Sequence, residues 1–107
     1  MELPKEFNIL GHKVKVLYPY TFTERGDLDG QYTDYTKTIR IPAQSFTGEA
    51  AAESFIAVTV LHEIMHAIDI ISGHCIFSTE EGEKALEGIS NGLYQVIKDN
   101  DLARVIL

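Results

Sequence analysis

The sequence has little cysteine and little positive charge. Cys75 is the single cysteine, and 9 Lys and Arg residues stand against 16 Asp and Glu, for a net charge of −7. One cysteine cannot form an internal disulfide, so the fold should not depend on an oxidising compartment. The basic residues form no cluster, which argues against nucleic acid or an anionic membrane as a partner. Residues 1–6 have neither the basic nor the apolar segment of a signal peptide, so we expect a cytoplasmic protein.

The remaining composition is that of a soluble globular domain. Hydrophobic residues make up 45% and charged residues 23% of the 107 positions, as is usual for one domain, here residues 1–107, with a modest core. Residues 50–71 are apolar over a length that approaches a membrane span. This stretch carries five ionisable side chains, namely Glu53, His62, Glu63, His66 and Asp69. We therefore expect a buried helix and no membrane partner.

The first half of the chain has the patterns of β-strands. Residues 12–18 alternate between polar and apolar side chains, and residues 31–33 and 36–41 are rich in β-branched and aromatic ones. A loop over residues 21–29 and a turn at 34–35 would connect them into a small antiparallel sheet. The last strand, 36–41, would be an exposed edge, either simply solvated or open to an extended peptide.

The second half has the patterns of helices, so the expected fold class is α+β. Thr47 is a plausible N-cap for a helix that runs to Ser72 and ends at Gly73. Ser78–Glu81 has the form of a capping box and predicts a second helix to about Lys98. A short helical turn could follow within residues 101–107.

The chemistry is concentrated in His62-Glu63-Ile64-Met65-His66, an H-E-x-x-H motif. Side chains four apart share one helix face, so His62 and His66 can present two imidazoles to one zinc ion. Glu63 is then placed to act as a general base on a metal-bound water. Burying these groups in a helix that is apolar on all sides would cost several kcal/mol unless they were paired or bound to a metal.

Two histidines leave the site one protein ligand short of the usual three. The metzincin pattern would need Gly at position 69 and His at position 72, where this chain has Asp69 and Ser72. His74 lies beyond the helix end and is more simply a surface histidine. Three glutamates on one face of the second helix remain as candidates: Glu80, Glu83 and Glu87.

At this point the sequence resembles the gluzincins, the thermolysin-like zinc peptidases, over about residues 55–94. Their third ligand is a glutamate in a following E-x-x-S/A-D/N stretch, and this chain has Glu87-Gly88-Ile89-Ser90-Asn91. The resemblance implies that Glu87 is the third zinc ligand, with Glu83 ranked second. It also implies that Asn91 holds a ligand histidine by its other ring nitrogen. Gly88 would let the two helices approach closely.

Two further residues near the motif have alternative interpretations. Asp69, three residues after His66, could hold a ligand histidine or could be hydrogen-bonded elsewhere at the helix end. Cys75 is interpreted as a buried, small apolar residue.

In size and layout the chain looks like the minimal gluzincins, which include small phage or prophage metallopeptidase-like proteins. The resemblance implies a zinc-dependent endopeptidase acting on a peptide or protein, with Zn²⁺ on His62, His66 and Glu87 and with Glu63 as general base. Four side chains are candidates for stabilising the oxyanion: Tyr94, His74, Tyr32 and Tyr35. The alternative is a regulatory module that keeps the metal and the zincin fold but cleaves little.

Overall fold

The computed structural model describes residues 1–24, 28–45 and 47–107. Within them the protein is α+β, with a sheet at the N-terminal end followed by helices. The strands are β1 (Glu6–Ile9), β2 (His12–Leu17), β3 (Gln31–Thr33) and β4 (Thr38–Arg40), and the helices are α1 (Glu53–Ile71), α2 (Glu80–Asn100) and α3 (Leu102–Ile106). The predicted fold class is therefore confirmed.

The sheet is mixed, so the expected all-antiparallel arrangement is wrong. The strand order is β1-β2-β4-β3, and β2 pairs with β4 in parallel, with Val16 opposite Ile39. After β2 the chain passes beyond the position that β4 will take, which leaves β3 on the outside. The edge near the helices is therefore residues 31–33, and the predicted edge at 36–41 is an inner strand. Residues 25–27 of the predicted loop lie outside the described part of the chain.

The core lies between one face of the sheet and α1. The alternation in β2 buries Val14 and Val16 and exposes their neighbours, as expected for a sheet with one solvated face. The buried cluster consists of Ile9, Val14, Ile39, Ile41, Ile56, Val60 and Ala67. Because the last three belong to α1, the motif helix is fixed directly on the sheet.

The starts of both long helices differ from the sequence expectation. α1 begins at Glu53, with Ala52 as its N-cap. The residues that precede it are used in a turn with positive φ at Gly48 and a β-bridge between Gln44 and Ala50. In α2 the cap is Thr79, whose Oγ1 accepts a hydrogen bond from the Gly82 N–H at 3.0 Å, so the predicted capping role of Ser78 is wrong.

The end of α1 agrees with the prediction. Gly73 follows the C-cap with φ +85°, a left-handed conformation that glycine adopts without strain. Cys75, two residues further on, is exposed. Its interpretation as a buried apolar residue is therefore wrong.

α2 packs on α1 through few side chains. Its buried residues are Leu86 and Ser90, both fully inaccessible. A Cβ added at Gly88 would have no neighbour within 4 Å, so the expected close approach at Gly88 is wrong. The small residue at the helix contact is Ser90, whose Oγ donates to the backbone oxygen of Leu86 at 2.8 Å.

α1 is, among the described residues, the helix long and apolar enough to cross a membrane by length and composition alone. The core helix of a soluble protein meets the same criterion. Here α1 packs on the sheet and buries the polar side chains of His62, Glu63 and Asp69.

Candidate metal centre

The H-E-x-x-H motif lies in the middle of α1, and its two histidines face the same point. The rings of His62 and His66 are 4.9 Å apart between centroids. Each Nε2 atom is close to one oxygen of the Glu83 carboxylate, at 2.6 Å for His62 and 2.7 Å for His66. The spacing of four along the helix therefore brings the imidazoles together as predicted.

Glu83 belongs to the first turn of α2, which crosses α1 at the motif. One ligand atom each from His62, His66 and Glu83 lies within 4.8 Å of the others. Two imidazole nitrogens and a carboxylate oxygen are the donor set that zinc accepts from protein side chains. A histidine that binds a cation through Nε2 carries its proton on Nδ1, so both rings would offer the Nε2 lone pair to a shared ion.

Glu87, ranked first from the sequence, lies one turn further along α2 and on another side of the site. Its Oε2 is 3.7 Å from Nδ1 of His62, so it faces the ring nitrogen that points away from Glu83. Its side chain is 69% exposed, whereas that of Glu83 is 49% exposed. The geometry favours Glu83 as the third ligand over Glu87, which the sequence motif ranked first.

The two residues proposed to hold a ligand histidine make other contacts. The Asn91 Nδ2 group donates to the backbone oxygen of Glu87 at 2.9 Å. Asp69 points toward the end of α1, where its two carboxylate oxygens accept from the Ile76 and Phe77 N–H groups, each at 2.9 Å. The residue that faces a histidine Nδ1 is Glu87, four positions before Asn91.

Glu63 is buried beside the histidines, with 6% of its surface exposed. Burial raises the pKa of Glu63 from 4.5 to about 7, and the nearby Glu83 acts in the same direction. His62 and a hydrogen bond from the backbone N–H of Tyr32 oppose the rise in pKa. A carboxyl group whose pKa is near neutral can both accept and return a proton, as a general base needs.

An open cleft of about 540 Å³ leads to these groups. Its floor is α1, one wall is α2, and the other wall is the segment that enters β3. The side chains that matter for chemistry on it are those of Asp29, His62, Glu63, Glu83, Glu87 and Tyr94. A peptide lying in this cleft would therefore contact His62 and Glu63 together.

Of the four residues predicted as oxyanion donors, one lies in the cleft and the other three are engaged elsewhere or exposed. Tyr94 lines the cleft. The Tyr32 hydroxyl is engaged, since it donates to Asp34 at 2.8 Å, and Tyr35 is 97% exposed. His74 is exposed beyond the end of α1 and is not among the residues of the cleft, as its interpretation as a surface histidine predicts.

Gly30 contributes to the site in a way that the sequence analysis missed. A Cβ there would lie 2.7 Å from Cγ2 of Thr59 and 3.3 Å from Cγ of Glu63. Any larger residue would therefore push the segment that enters β3 away from α1 beside Glu63. The Asp29-Gly30 pair signals a turn, but it carries no sign of the helix that will pack against it.

No protein-family model, curated protein or solved structure matches this chain. The resemblance to gluzincins stays a prediction from the two sequence motifs.

Proposed function

We propose that this protein is a zinc-dependent peptidase whose metal is held by His62, His66 and Glu83. The observation that supports this most is the convergence of both histidine Nε2 atoms on the Glu83 carboxylate, at 2.6 and 2.7 Å. When bound, the ion supplies the Lewis acidity that activates water and polarises a peptide carbonyl. The donor set suits zinc best, although nitrogen and carboxylate ligands also accept other divalent transition metals.

In this proposal Glu63 moves the proton. It is buried next to His62 and opens onto the cleft, where it would take a proton from the attacking water and return it to the leaving amine. Tyr94, which lines the same cleft from α2, is the candidate to donate to the oxyanion in this proposal.

Glu87 has a supporting role in the same proposal. A histidine that binds metal through Nε2 carries its proton on Nδ1, and such protons are normally taken up by a carboxylate or carbonyl. The Glu87 Oε2 is 3.7 Å from Nδ1 of His62, slightly beyond hydrogen-bond distance. A small movement of this exposed side chain would bring it within hydrogen-bond distance, where it would orient the ring.

The substrate in this proposal is an extended peptide that lies beside β3. Strand β3 is the edge of the sheet next to α1, and an edge strand offers free backbone groups for pairing. The Tyr32 N–H of this strand already donates to Glu63, so a peptide would pair with other backbone groups of this edge. The main chain of a peptide would thereby be brought alongside the general base.

The test is Glu63→Gln, assayed on an unfolded, fluorophore-labelled protein after loading with zinc. The proposal predicts that the wild type cleaves, that chelation stops cleavage and that the variant keeps stoichiometric zinc with at least about a hundredfold lower turnover, as loss of a general base implies. If the wild type holds zinc but cleaves nothing, the peptidase proposal fails and a metal-binding regulatory module takes its place.

The proposal also places the protein in the cytoplasm. Cys75 is exposed and unpaired by any other cysteine of the chain, which suits a reducing compartment. Fractionation of producing cells checks this, since recovery from a secreted fraction would contradict it.

A further inference from the structure

The connection between α1 and α2 is organised by Asp69, a buried carboxylate with 4% of its surface exposed. Its two side-chain oxygens accept from the backbone N–H groups of Ile76 and Phe77, each at 2.9 Å. Its backbone oxygen accepts from those of His74 and Cys75, at 3.1 and 3.2 Å. One residue of α1 therefore binds four consecutive amides of the connection.

The same segment supports the first turn of α2. A Cβ added at Gly82 would lie 2.4 Å from the backbone oxygen of Ile76 and 2.8 Å from Cα of Phe77. α2 thus begins in direct contact with the two residues whose amides Asp69 holds. Glu83, the next residue after Gly82, lies in that turn, and the position of the turn therefore sets the position of its carboxylate beside the histidines.

We propose that Asp69 is a positioning residue for Glu83, an inference that rests on the proposed metal centre. Asp69 lies one turn after His66 on α1, so one helix carries both histidine ligands and the anchor that sets the third ligand. Hydrogen bonds to a carboxylate are stronger than neutral ones. Downstream of Glu83, only Leu86 and Ser90 of α2 are buried, so the first turn depends on the connection for its placement.

The experiment compares zinc affinity in wild type, Asp69→Asn and Val14→Ala by competition with a chromophoric chelator. Asn keeps one acceptor but turns an amide NH₂ toward the second backbone N–H, so one of the two side-chain contacts is lost. We expect the Kd for zinc to rise about tenfold or more, as for other groups that orient ligands. Val14 is fully buried in β2, and its truncation lowers stability without touching the connection, so its Kd should stay at the wild-type value.

A spectroscopic signature complements the affinity measurement. With Co²⁺ in place of zinc, the visible absorption reports the ligand set, and Asp69→Asn should alter it because Glu83 is displaced. Val14→Ala should leave the spectrum unchanged. If Asp69→Asn matches the wild type in both Kd and spectrum, the positioning proposal is overturned.

Gly82→Ala keeps the proposal testable if Asp69→Asn does not fold. Ala favours helix more than Gly does, yet its Cβ would collide with the Ile76 oxygen and shift the first turn of α2. We expect a weakened zinc site in this variant as well, and an unchanged Kd overturns the proposal. If the wild type itself binds no zinc, the metal centre fails and this inference fails with it, whereas wild-type binding with unaffected variants refutes the positioning role alone.

Discussion

The two helices that build the candidate site differ in how they are held. α1 buries seven residues, among them His62, Glu63 and Asp69, and it packs on the sheet through the main core. α2 buries two residues, Leu86 and Ser90, and its contribution to the site, Glu83, is half exposed. The histidines are therefore fixed by the fold, whereas the third ligand is fixed by a helix contact, by the connection and, in the proposed function, by the metal.

The largest loss of zinc affinity should come from replacing a histidine of α1. We expect His62→Ala to lower zinc affinity by about 10³-fold, since one of three ligands carries roughly a third of the binding free energy. Exposed His74 gives a matched control, because His74→Ala removes an imidazole outside the cleft and should leave the affinity unchanged. Elemental analysis and chelator competition measure both. If the two variants bind the same amount of zinc, the proposal that His62 is a metal ligand is wrong.

The next effect separates two side chains of α2. Glu83→Gln should weaken zinc binding about a hundredfold or more, because Glu83 is the third ligand in the proposed site. Glu87→Gln should weaken it by about tenfold, because Glu87 only orients His62. The same competition assay compares them, and the reverse order would restore the ranking made from the sequence.

A third test asks whether bound metal stabilises α2 against local unfolding more than it stabilises the sheet. Hydrogen exchange with and without zinc should show that amides of α2 near Glu83 lose protection on chelation. At zinc concentrations about 100 times the Kd, the linkage is worth about 2.7 kcal/mol, or about 100-fold in protection. Amides around Val14 in β2 serve as the internal control and should change less. Equal changes in both regions would mean that the helices open together.

The sequence predicted the contacts within single helices and strands better than the contacts between them. Contacts within one helix follow from its period, so the convergence of His62 and His66 was predictable. The alternation in β2 likewise predicted a strand with one buried face. The end of α1 at Gly73 was predictable because a left-handed C′ position favours glycine.

Contacts between elements were not predictable in the same way. Glu83 and Glu87 lie one turn apart on one face of α2, and the choice between them depends on where α2 crosses α1. That crossing is set by Asp69 and Gly82, through backbone contacts that leave no periodic pattern. The position of β4 inside the sheet is a similar case, since strand propensity does not determine strand order.

Glu63 should make the metal-free protein less stable as pH rises. The pKa of Glu63 is about 7 in the folded protein and 4.5 for a free glutamate, the value taken for the unfolded chain. Between these two pH values the folded protein therefore binds more protons at Glu63 than the unfolded one. The resulting loss of stability grows as pH rises from about 4.5 to 7, and it reaches about 3 kcal/mol above pH 8. Glu63→Gln removes this loss, since Gln cannot ionise.

Urea unfolding of wild type and Glu63→Gln in the presence of a chelator measures the effect. The variant should be more stable by about 3 kcal/mol at pH 8 and by about 1 kcal/mol at pH 5. Glu87→Gln, an exposed carboxylate on the other helix, is the control and should show little pH-dependent gain. A gain of the same size at both pH values would contradict the burial of an ionisable Glu63 in α1.

The smallest effect tests how loosely α2 is packed at its outer face. Gly88 has no neighbour within 4 Å of the position of its missing Cβ, and glycine inside a helix costs about 0.5–1 kcal/mol relative to alanine. Gly88→Ala should therefore stabilise the protein by about that amount in thermal or urea unfolding, with zinc affinity unchanged. Ser90→Leu, at the fully buried contact on the same helix, should instead destabilise it, because overpacking costs about 1–3 kcal/mol. If Gly88→Ala destabilises the protein, α2 lies closer to α1 than this structure has it, and the contrast between a fixed and a loosely held helix does not hold.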